Sequence, residues 1–448
     1  MSRPQSESVP VTARGGGATV RTVSFDVGQN GAGARLLWTL ASAERAVRWL
    51  GRNAAAPDDL AMGFREQWRR LARNGHVGPA SDVSDAGTTG LVLILPALPW
   101  SFRRQRPQQL ARALAEVGRH VLYVDASMRT SVSPPPRLRV DDRGVEVLSV
   151  RVPGRPDPYR SILTAEQTTY LSDLFESGLR RRPDFVLAQL PFWAPLGVAL
   201  ASRLRVPLVY DRMDRHSEFP DAPAVLDEGE ALLTAHAHHI VASSAGLCDS
   251  GPGARPCHVI PNGVVLEDFL GRGQAHRARK RSPVAGYVGA LGPWFDADAL
   301  ARAARALPQW TFRLAGRVED EAVRALARLA NVSLVGEIPY AIVPDFLSRV
   351  DVALVPFRDT ALTRAVDAVK MYEYLAAGLP VVARDLPGLT RWGAPAVYHY
   401  DAPQGLAAAI TLANDEDSPS SAFRRHDLLH AETWRTRATN LLAVVGRP

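Results

Sequence analysis

Residues 367–385 read DAVKMYEYLAAGLPVVARD, and this stretch predicts a short helix followed by a buried strand. Asp367 is a suitable N-cap residue, and Gly378 stands where a helix commonly ends in a left-handed residue. Pro380 prevents the helix from continuing. The apolar run LPVVAR then indicates a strand buried on both faces, as in a parallel sheet that is covered by helices. The stretch therefore predicts an α/β fold.

The predicted helix has two different faces. Met371 and Leu375 are four residues apart and are expected to face a core. Lys370, Glu373 and Ala377 lie on another stripe, at spacings of three and four residues. One face of the helix is thus expected to pack while the other presents charge.

Lys370 is informative because lysine is rare in this chain. Of the 53 lysine and arginine residues, all but Lys280 and Lys370 are arginine. A compact ammonium in the first turn of a helix, close to free backbone N–H groups, suits a phosphate or diphosphate. The alternative is a solvated pair of Lys370 with Glu373, which would stabilise the helix by only about 0.2–0.5 kcal/mol.

The length and composition limit the class of protein. A chain of 448 residues that is 46% hydrophobic suits two domains of roughly 150–200 residues with an extension. The sequence contains neither a run of about 18 apolar residues nor an apolar N-terminal signal, so we expect a cytoplasmic protein. Cys248 and Cys257 are the only cysteines, which predicts neither a disulfide framework nor a cysteine metal cluster.

The net charge of +7 and the pI near 9.7 favour an anionic partner, such as a phosphorylated substrate, lipid headgroups or nucleic acid. The basic clusters at 103–106, 180–182 and 277–281 are short and lack interleaved aromatic residues. This pattern disfavours nucleic acid and leaves a phosphorylated ligand or a membrane surface.

Residues 1–85 are predicted to form an N-terminal extension. Its first thirty or so residues are rich in Gly, Ser and Thr without a period, which is typical of disorder. Residues 36–50 and 60–71 then show helical amphipathic patterns, and the first of these is basic. Such a helix could lie on an anionic membrane, while packing on the main domain or on a partner is the more common alternative.

The remaining chain predicts two doubly wound domains that face a cleft. Residues 86–270 contain a βαβ unit and about six parallel strands, and residues 284–419 contain six more, after a charged linker at 271–283. Residues 420–448 predict an amphipathic helix that could return to the first domain. Because no GxGxxG follows a strand and opens a helix, a dinucleotide oxidoreductase is disfavoured.

The order of the motifs VYDRMDRHSEFP, VIPNGV, YVGALGPWFD, VSLVGEIPY and VKMYEYLAAGLPVV resembles that of bacterial two-domain GT-B glycosyltransferases. It is most similar to the branch that contains teichuronic-acid-type enzymes and, more distantly, the xanthan glucuronosyltransferase. The resemblance covers roughly residues 90–445. It implies that the C-terminal domain binds a nucleoside-diphosphate sugar as co-substrate, that the N-terminal domain binds the acceptor, and that no metal or other cofactor is needed.

The resemblance gives the donor-side residues expected roles. Lys370 would contact the diphosphate, where an ammonium and a helix N-terminus can stabilise the leaving group without a metal ion. Glu373 would accept hydrogen bonds from the ribose, and Gly289 would let the backbone approach the donor. Glu337 would line the base, and Tyr340 would either stack on the base or serve as an ordinary core aromatic.

Candidates for the catalytic base lie just after a strand. Asp211 and Asp214 could both reach the cleft, and we favour Asp214 because Asp211 could simply cap the following turn. His216 is the competing candidate. Trp100 and Arg106 are placed at the acceptor side, where a sugar face suits an aromatic ring and an anionic acceptor suits a guanidinium.

Two departures from the family pattern affect the mechanism. Many retaining GT-B enzymes carry two glutamates separated by seven residues, but the residue eight before Glu373 is Ala365. The Arg and Lys that often follow the first strand of the C-terminal domain are replaced by GPWFD at 292–296. Phosphate binding is therefore expected to depend on Lys370, and an aspartate base favours inversion, although the stereochemistry stays open.

The expected function is transfer of a sugar to a lipid-linked or polysaccharide acceptor in cell-envelope glycan synthesis, by a cytoplasmic protein at the inner membrane face. Nucleic acid is not an expected partner. Glycosylation of a soluble small molecule and a non-catalytic GT-B scaffold that pairs with another transferase are the alternatives.

Overall fold

The computed structural model describes residues 90–126, 137–141, 143–150, 152–154, 156–179, 181–219, 222–249, 253–269 and 282–446. The predicted N-terminal extension with its two amphipathic helices lies outside the described residues, as does most of the predicted linker at 271–283.

The first domain is built on an eight-stranded sheet with the order β3-β4-β2-β1-β5-β6-β7-β8. Its strands are β1 (Leu91–Leu95), β2 (His120–Ala126), β3 (Arg137–Val140), β4 (Glu146–Val150), β5 (Phe185–Ala188), β6 (Leu208–Arg212), β7 (His239–Ala242) and β8 (Cys257–Val259). All neighbouring strands are parallel except β3 and β4. The strand order reverses between β1 and β5, where a doubly wound sheet opens a crevice.

The antiparallel pair of β3 and β4 was missed by the sequence prediction of about six parallel strands. The two strands are joined by a turn in which Gly144 has a φ of +86°. The Asp141 carboxylate accepts a hydrogen bond of 2.7 Å from the Val145 N–H in this turn. The pair lies at the sheet edge and needs only short strands, so its sequence signal is weak.

The second domain contains a six-stranded parallel sheet with the order β11-β10-β9-β12-β13-β14. The strands are β9 (Val284–Val288), β10 (Thr311–Ala315), β11 (Val332–Gly336), β12 (Val352–Val355), β13 (Val381–Arg384) and β14 (Val397–Tyr400). All six coincide with predicted strands, and the order is that of a Rossmann fold. The prediction of two doubly wound α/β domains is therefore confirmed.

Helices connect the strands of both sheets. Those of the first domain are α1 (Arg106–Glu116), α2 (Ala165–Gly178), α3 (Ala194–Leu204) and α4 (Val225–His236). Those of the second are α5 (Ala297–Ala306), α6 (Glu321–Ala325), α7 (Val343–Leu347), α8 (Ala361–Arg364), α9 (Val369–Ala376) and α10 (Leu406–Asp415), and the chain continues with α11 (Pro419–Asp427) and α12 (Trp434–Val445). None of the helices in the described ranges is long and apolar enough to cross a membrane.

Helix α9 begins one residue later than its sequence suggests. Its N-cap is Ala368, so the prediction that Asp367 caps the helix is wrong. The Asp367 carboxylate instead accepts hydrogen bonds from the Asn262 N–H at 2.5 Å and from the Tyr372 hydroxyl at 2.9 Å. A partner from the first domain thus replaces the expected local cap.

The other end and the core face of α9 follow the sequence. Gly378 has a φ of +72°, and its N–H donates to the Leu375 carbonyl at 2.9 Å. Met371 and Leu375 are 2% and 0% exposed within the core of the second domain. Lys370, on the other face of the helix, lies against Gly289 just beyond the end of β9.

The last helix, α12, packs on the first domain. Trp434, Ala438 and Leu441 belong to the same buried cluster as Val92 and Ile94 of β1. The chain therefore crosses from the second domain back to the first after α11.

Cys248 and Cys257 form a disulfide with a Cα–Cα distance of 5.8 Å. This pairing departs from the expectation that the cysteines provide no disulfide framework. The reason is topological, because β7 and β8 are parallel neighbours and Cys257 is in register with Ile240. The turn that follows β7 thus returns Cys248 to the side of β8.

Candidate functional site

The donor side of the site begins where β9 ends. Gly289 follows β9 with a φ of +146°, a conformation that side chains of L-residues rarely adopt. A Cβ atom at this position would lie 2.9 Å from Lys370 Cε and 3.0 Å from its Nζ. The glycine therefore leaves the space in which the ammonium lies across the strand end.

Two further glycines extend this surface over the neighbouring strands. Gly316 follows β10 with a φ of +154°, and a Cβ on it would lie 1.7 Å from the Gly289 carbonyl oxygen. Its N–H donates to the Gly336 carbonyl at the end of β11 at 2.8 Å. We call Gly289, Gly316 and Gly336 the glycine layer. It exposes backbone at the carboxyl edge of a parallel sheet, where ligands of such folds bind.

The Lys370 ammonium is held by aromatic groups. Its Nζ lies 3.3 Å from the Tyr287 hydroxyl oxygen and 4.9 Å from the ring centroids of both Tyr287 and Phe357. Burial lowers the pKa of Lys370 to about 8, an effect that Arg103 adds to and Glu373 opposes. Within the described parts of the chain, no carboxylate forms an ion pair with this ammonium. It is a half-buried cation that can accept an anion.

Glu373 lies one helical turn beyond Lys370 and is 7% exposed. Burial raises the pKa of Glu373 to about 7, while Lys370 and a hydrogen bond from the Tyr340 hydroxyl oppose the rise. This burial excludes the solvated surface pair that was the alternative explanation for the two charges. The ribose contact stays a prediction.

Tyr340 connects the two domains. Its hydroxyl accepts a hydrogen bond of 3.2 Å from Gln109 Nε2 in α1, and the Arg104 guanidinium lies 4.8 Å from its ring centroid. Phe269 meets the ring edge-on at 6.4 Å. One face of the ring is therefore covered by Arg104, and stacking of a base on it stays a prediction.

Glu337, expected to line the base, forms an ion pair across the cleft instead of standing alone. Arg103 Nε of the first domain donates to its Oε1 at 2.6 Å, and this contact holds the pKa of Glu337 below its ordinary value. The sequence gives no indication of this partner, because the two residues are separated by 234 positions.

On the first domain, Asp214 lies just beyond β6 at the carboxyl edge of the sheet and is half-buried. Burial raises the pKa of Asp214 to about 7, with Asp211 adding to the rise and Arg106 opposing it. In the described part of the chain, nothing donates a hydrogen bond to its carboxylate. A carboxylate with these properties is suited to general base catalysis near neutral pH.

Asp211 and Arg106 form a buried pair. The Asp211 carboxylate is fully buried, at 2.7 Å from Arg106 Nη2, and it also accepts from Gln189 Nε2 at 2.8 Å. Arg106 is 3% exposed and donates further to the Ile260 carbonyl at 2.9 Å. These partners enclose the guanidinium, which disfavours contact with an anionic acceptor, and that contact stays a prediction. Asp211 likewise has a structural role, as the buried partner of Arg106.

His216 is 8% exposed, and burial lowers its pKa to about 4. Its ring stacks on Phe219 with centroids 6.3 Å apart, and its Nε2 is buried with no hydrogen-bond partner in the part of the chain that is described. The imidazole is therefore neutral at physiological pH. It stays the second candidate for the base.

Trp100 packs against its own domain. Its ring meets Tyr123 edge-on at 4.8 Å, and the Arg112 guanidinium lies 5.3 Å from its centroid. The side chain is half-buried, and its contact with an acceptor stays a prediction.

Several contacts between the domains were not foreseen. Phe219 meets Trp294 edge-on at 6.1 Å, and the Ser244 hydroxyl donates to the Ala365 carbonyl. A Cβ on Gly246 would lie 3.0 Å from Ala365 Cα, so this backbone is packed directly on the first domain. The position where related enzymes carry a first glutamate is thus an interdomain contact here, with Ala365 only 5% exposed.

The two Rossmann-like domains turn their strand ends toward one cleft. The second domain places the cation Lys370 there, and the first domain places the carboxylate of Asp214. This arrangement defines a GT-B architecture. Residues 104–263 match the glycosyl transferase 4-like domain family, and residues 282–414 match the glycosyl transferases group 1 family. The chain belongs to the GT-B glycosyltransferases.

A curated relative supports the same family. TuaH of Bacillus subtilis, named as a candidate teichuronic acid biosynthesis glycosyltransferase, is 29% identical over 206 residues. The alignment covers 43% of this chain and 52% of TuaH, so the chain spans about half the length of the curated relative it matches.

Solved structures share the fold at low identity. Sucrose-phosphate synthase from Thermosynechococcus elongatus is 16% identical with a TM-score of 0.60, over 79% of this chain and 97% of that one. HepE of Anabaena, in complex with UDP and glucose, is 16% identical with a TM-score of 0.56, over 79% and 98%. A UDP-forming trehalose-phosphate synthase from Burkholderia xenovorans is 13% identical with a TM-score of 0.59, over 80% and 100%. These likenesses establish the architecture alone.

Proposed function

We propose that this protein transfers a sugar from a nucleoside-diphosphate sugar to an acceptor hydroxyl. The observation that carries the proposal is Lys370, whose ammonium lies across Gly289 at the sheet edge without a carboxylate partner among the described residues. HepE binds UDP in its solved complex and the trehalose-phosphate synthase is a UDP-forming enzyme, which supports a nucleotide-sugar donor here.

In the proposed reaction the donor diphosphate lies against the glycine layer. Lys370 and the backbone at the strand ends stabilise the negative charge that develops on the leaving nucleoside diphosphate, so the reaction needs no metal ion. Glu373, one turn further along α9, accepts hydrogen bonds from the ribose.

Asp214 acts as the general base on the other side of the cleft. It takes the proton of the acceptor hydroxyl as the oxygen forms a bond to the anomeric carbon, while the bond from that carbon to the diphosphate breaks. Attack from the face opposite the leaving group inverts the anomeric configuration. His216 is the second candidate for the base.

We further propose a lipid-linked or polysaccharide acceptor of the cell envelope and a site of action at the inner membrane face. The net charge of +7 and the similarity to TuaH, a candidate teichuronic acid biosynthesis glycosyltransferase, support this choice. A soluble small-molecule acceptor and a non-catalytic scaffold are the competing functions.

The test is a panel of UDP-, GDP-, ADP- and dTDP-sugars, with thermal unfolding and release of nucleoside diphosphate as measurements. Bound donor stabilises the folded state by RT ln(1 + [L]/Kd), so the melting temperature rises with donor concentration and affinity. We expect one donor class to stabilise the protein and to be turned over. Lys370→Ala should lose both effects, whereas Lys280→Ala, which removes the other lysine, should retain them. Donor binding without any turnover would favour the scaffold, and the absence of binding would overturn the proposal.

A further inference from the structure

The side chain of Arg103 extends from the first domain and contacts the second domain. This residue lies in the segment between β1 and α1, and its Nε donates to Glu337 Oε1 at 2.6 Å. Its side chain is 24% exposed, against 46% for that of Glu337. The guanidinium is thus held at the mouth of the cleft and not extended into solvent.

The position of Glu337 brings Arg103 to the donor surface. Glu337 directly follows Gly336, the member of the glycine layer at the end of β11. Lys370 lies against Gly289, the glycine at the other end of the glycine layer, just beyond β9. Neighbouring strands are separated by roughly 4.8 Å, so the two positions are about 10 Å apart along the sheet edge. A nucleoside diphosphate that lies on the glycine layer therefore reaches both cations.

The electrostatics agree with this placement. The charge of Arg103 contributes to the lowered pKa of Lys370 and opposes the raised pKa of Tyr287, so it acts on both groups at the end of β9. The carboxylates beside these two cations include Glu337 and the buried Glu373, whose pKa is raised to about 7.

The segment after β9 supplies no second cation for a diphosphate. The segment that follows the β9 turn reads GPWFD at 292–296, without Arg or Lys. Arg317 follows the glycine layer at β10 but is 63% exposed and lies 3.2 Å from Glu319. A guanidinium can bind two phosphate oxygens through two parallel N–H groups, a bidentate geometry that the ammonium of a lysine does not provide.

We propose that Arg103 is the second cation of the donor-diphosphate site, supplied by the first domain, and that it leaves Glu337 for the diphosphate when the donor binds. The inference rests on the proposed function, because it assigns a further ligand to the same site. Since Arg103 and Lys370 lie on different domains, the bound diphosphate contacts both domains and links them across the cleft.

The test compares Arg103→Gln, Glu337→Gln and the matched control Arg317→Gln in calorimetric binding of UDP, GDP, ADP and dTDP and of the corresponding nucleosides. For the nucleotide that the wild type binds, Arg103→Gln should weaken the diphosphate roughly tenfold or more and leave the nucleoside unchanged. Relative to its affinity for the nucleoside, which also reports any base contact of Glu337, Glu337→Gln should bind the diphosphate as well as the wild type or better. Arg317→Gln should change its affinity less than about twofold.

Three results would overturn the inference. Equal weakening by Arg103→Gln and Glu337→Gln, for diphosphate and nucleoside alike, would make the ion pair a structural contact only. Equal loss of diphosphate affinity in Arg103→Gln and Arg317→Gln would show that only the loss of one positive charge near the site matters. Unchanged affinity in Arg103→Gln, with normal wild-type binding, would exclude the contact. A wild type that binds none of the four diphosphates would instead overturn the proposed function itself.

Discussion

Gly289 and Lys370 are in direct contact at the end of β9, where a Cβ on the glycine would stand 3.0 Å from the lysine Nζ. The contact joins two features that the sequence keeps 81 residues apart, a strand end and the first turn of α9. The lysine is therefore not positioned by its helix alone, since the glycine opposite it leaves the space that the ammonium occupies.

Gly289→Ala should displace Lys370 and lower donor affinity. The φ of +146° disfavours alanine, and the added methyl would overlap the lysine side chain, so the folded state should lose about 1–3 kcal/mol. Donor binding should fall with it, because the ammonium moves from the glycine layer. Equilibrium unfolding and calorimetric titration with the donor measure the two effects.

The matched control for this change is Gly393→Ala. Nothing lies within 4 Å of a Cβ at Gly393, and its φ is outside the left-handed range. We expect nearly unchanged stability and donor affinity in this variant. Equal donor affinity in Gly289→Ala and the wild type would show that the contact does not position the ammonium.

The features that could be predicted from the sequence are those that depend on local patterns. The strands of the second domain are apolar runs bounded by turns, and the buried face of α9 follows from the spacing of Met371 and Leu375. Lys370 could be singled out because lysine is so rare in this chain. Each of these signals is contained within a few residues.

The features that were missed depend on partners far along the chain. Arg106 is enclosed by Asp211, which lies 105 positions away, and Glu337 is paired with Arg103 over 234 positions. The local sequence predicts that Asp367 caps the helix, because its actual partner, Asn262, belongs to the other domain. A charged residue looks the same in sequence whether it is exposed or paired in this way, so these roles required the structure.

The pH dependence of turnover should report on Asp214. Its pKa is raised to about 7, so the carboxylate that accepts the proton predominates above pH 7. We expect kcat/KM to fall tenfold per pH unit as the pH drops below about 7, and Asp214→Asn to abolish transfer while donor binding persists. Measurement of kcat/KM between pH 5 and 9 checks this.

The same profile separates Asp214 from His216. The pKa of His216 is lowered to about 4, so a histidine base would give a rate that is flat from pH 6 to 8. Glu373 also has a pKa raised to about 7, and its protonation would lower kcat/KM by weakening donor binding, so kcat at saturating donor is measured as well to isolate the base. A flat profile, or full activity in Asp214→Asn, would remove Asp214 as the base.

Asp214→Asn should also stabilise the protein at high pH. The folded-state pKa of about 7 exceeds the unfolded value of about 3.9, so the folded protein binds this proton more tightly. The stabilisation that protonation provides is complete below about pH 4 and is lost as the pH rises through 7. Asparagine cannot ionise, so the stability of the variant relative to the wild type should increase from pH 4 to 7 and then level off. Denaturant titrations at pH 4.5, 6 and 8 measure it; a constant difference would contradict the raised pKa.

The buried Arg106–Asp211 pair should be required for folding and not for acceptor recognition. Removal of one partner leaves an uncompensated buried charge, so Arg106→Met should cost about 3–5 kcal/mol in the free energy of unfolding. Asp211→Asn should be destabilising as well, because the Arg106 guanidinium then lacks its counter-charge. The exposed pair of Arg203 with Asp173 provides the control, and Arg203→Met should change stability little. The enclosed geometry predicts that Arg106→Met loses much of its stability and that its folded fraction keeps an unchanged KM for the acceptor. If the variant instead kept its stability and had a raised KM for the acceptor, the guanidinium would be an acceptor ligand.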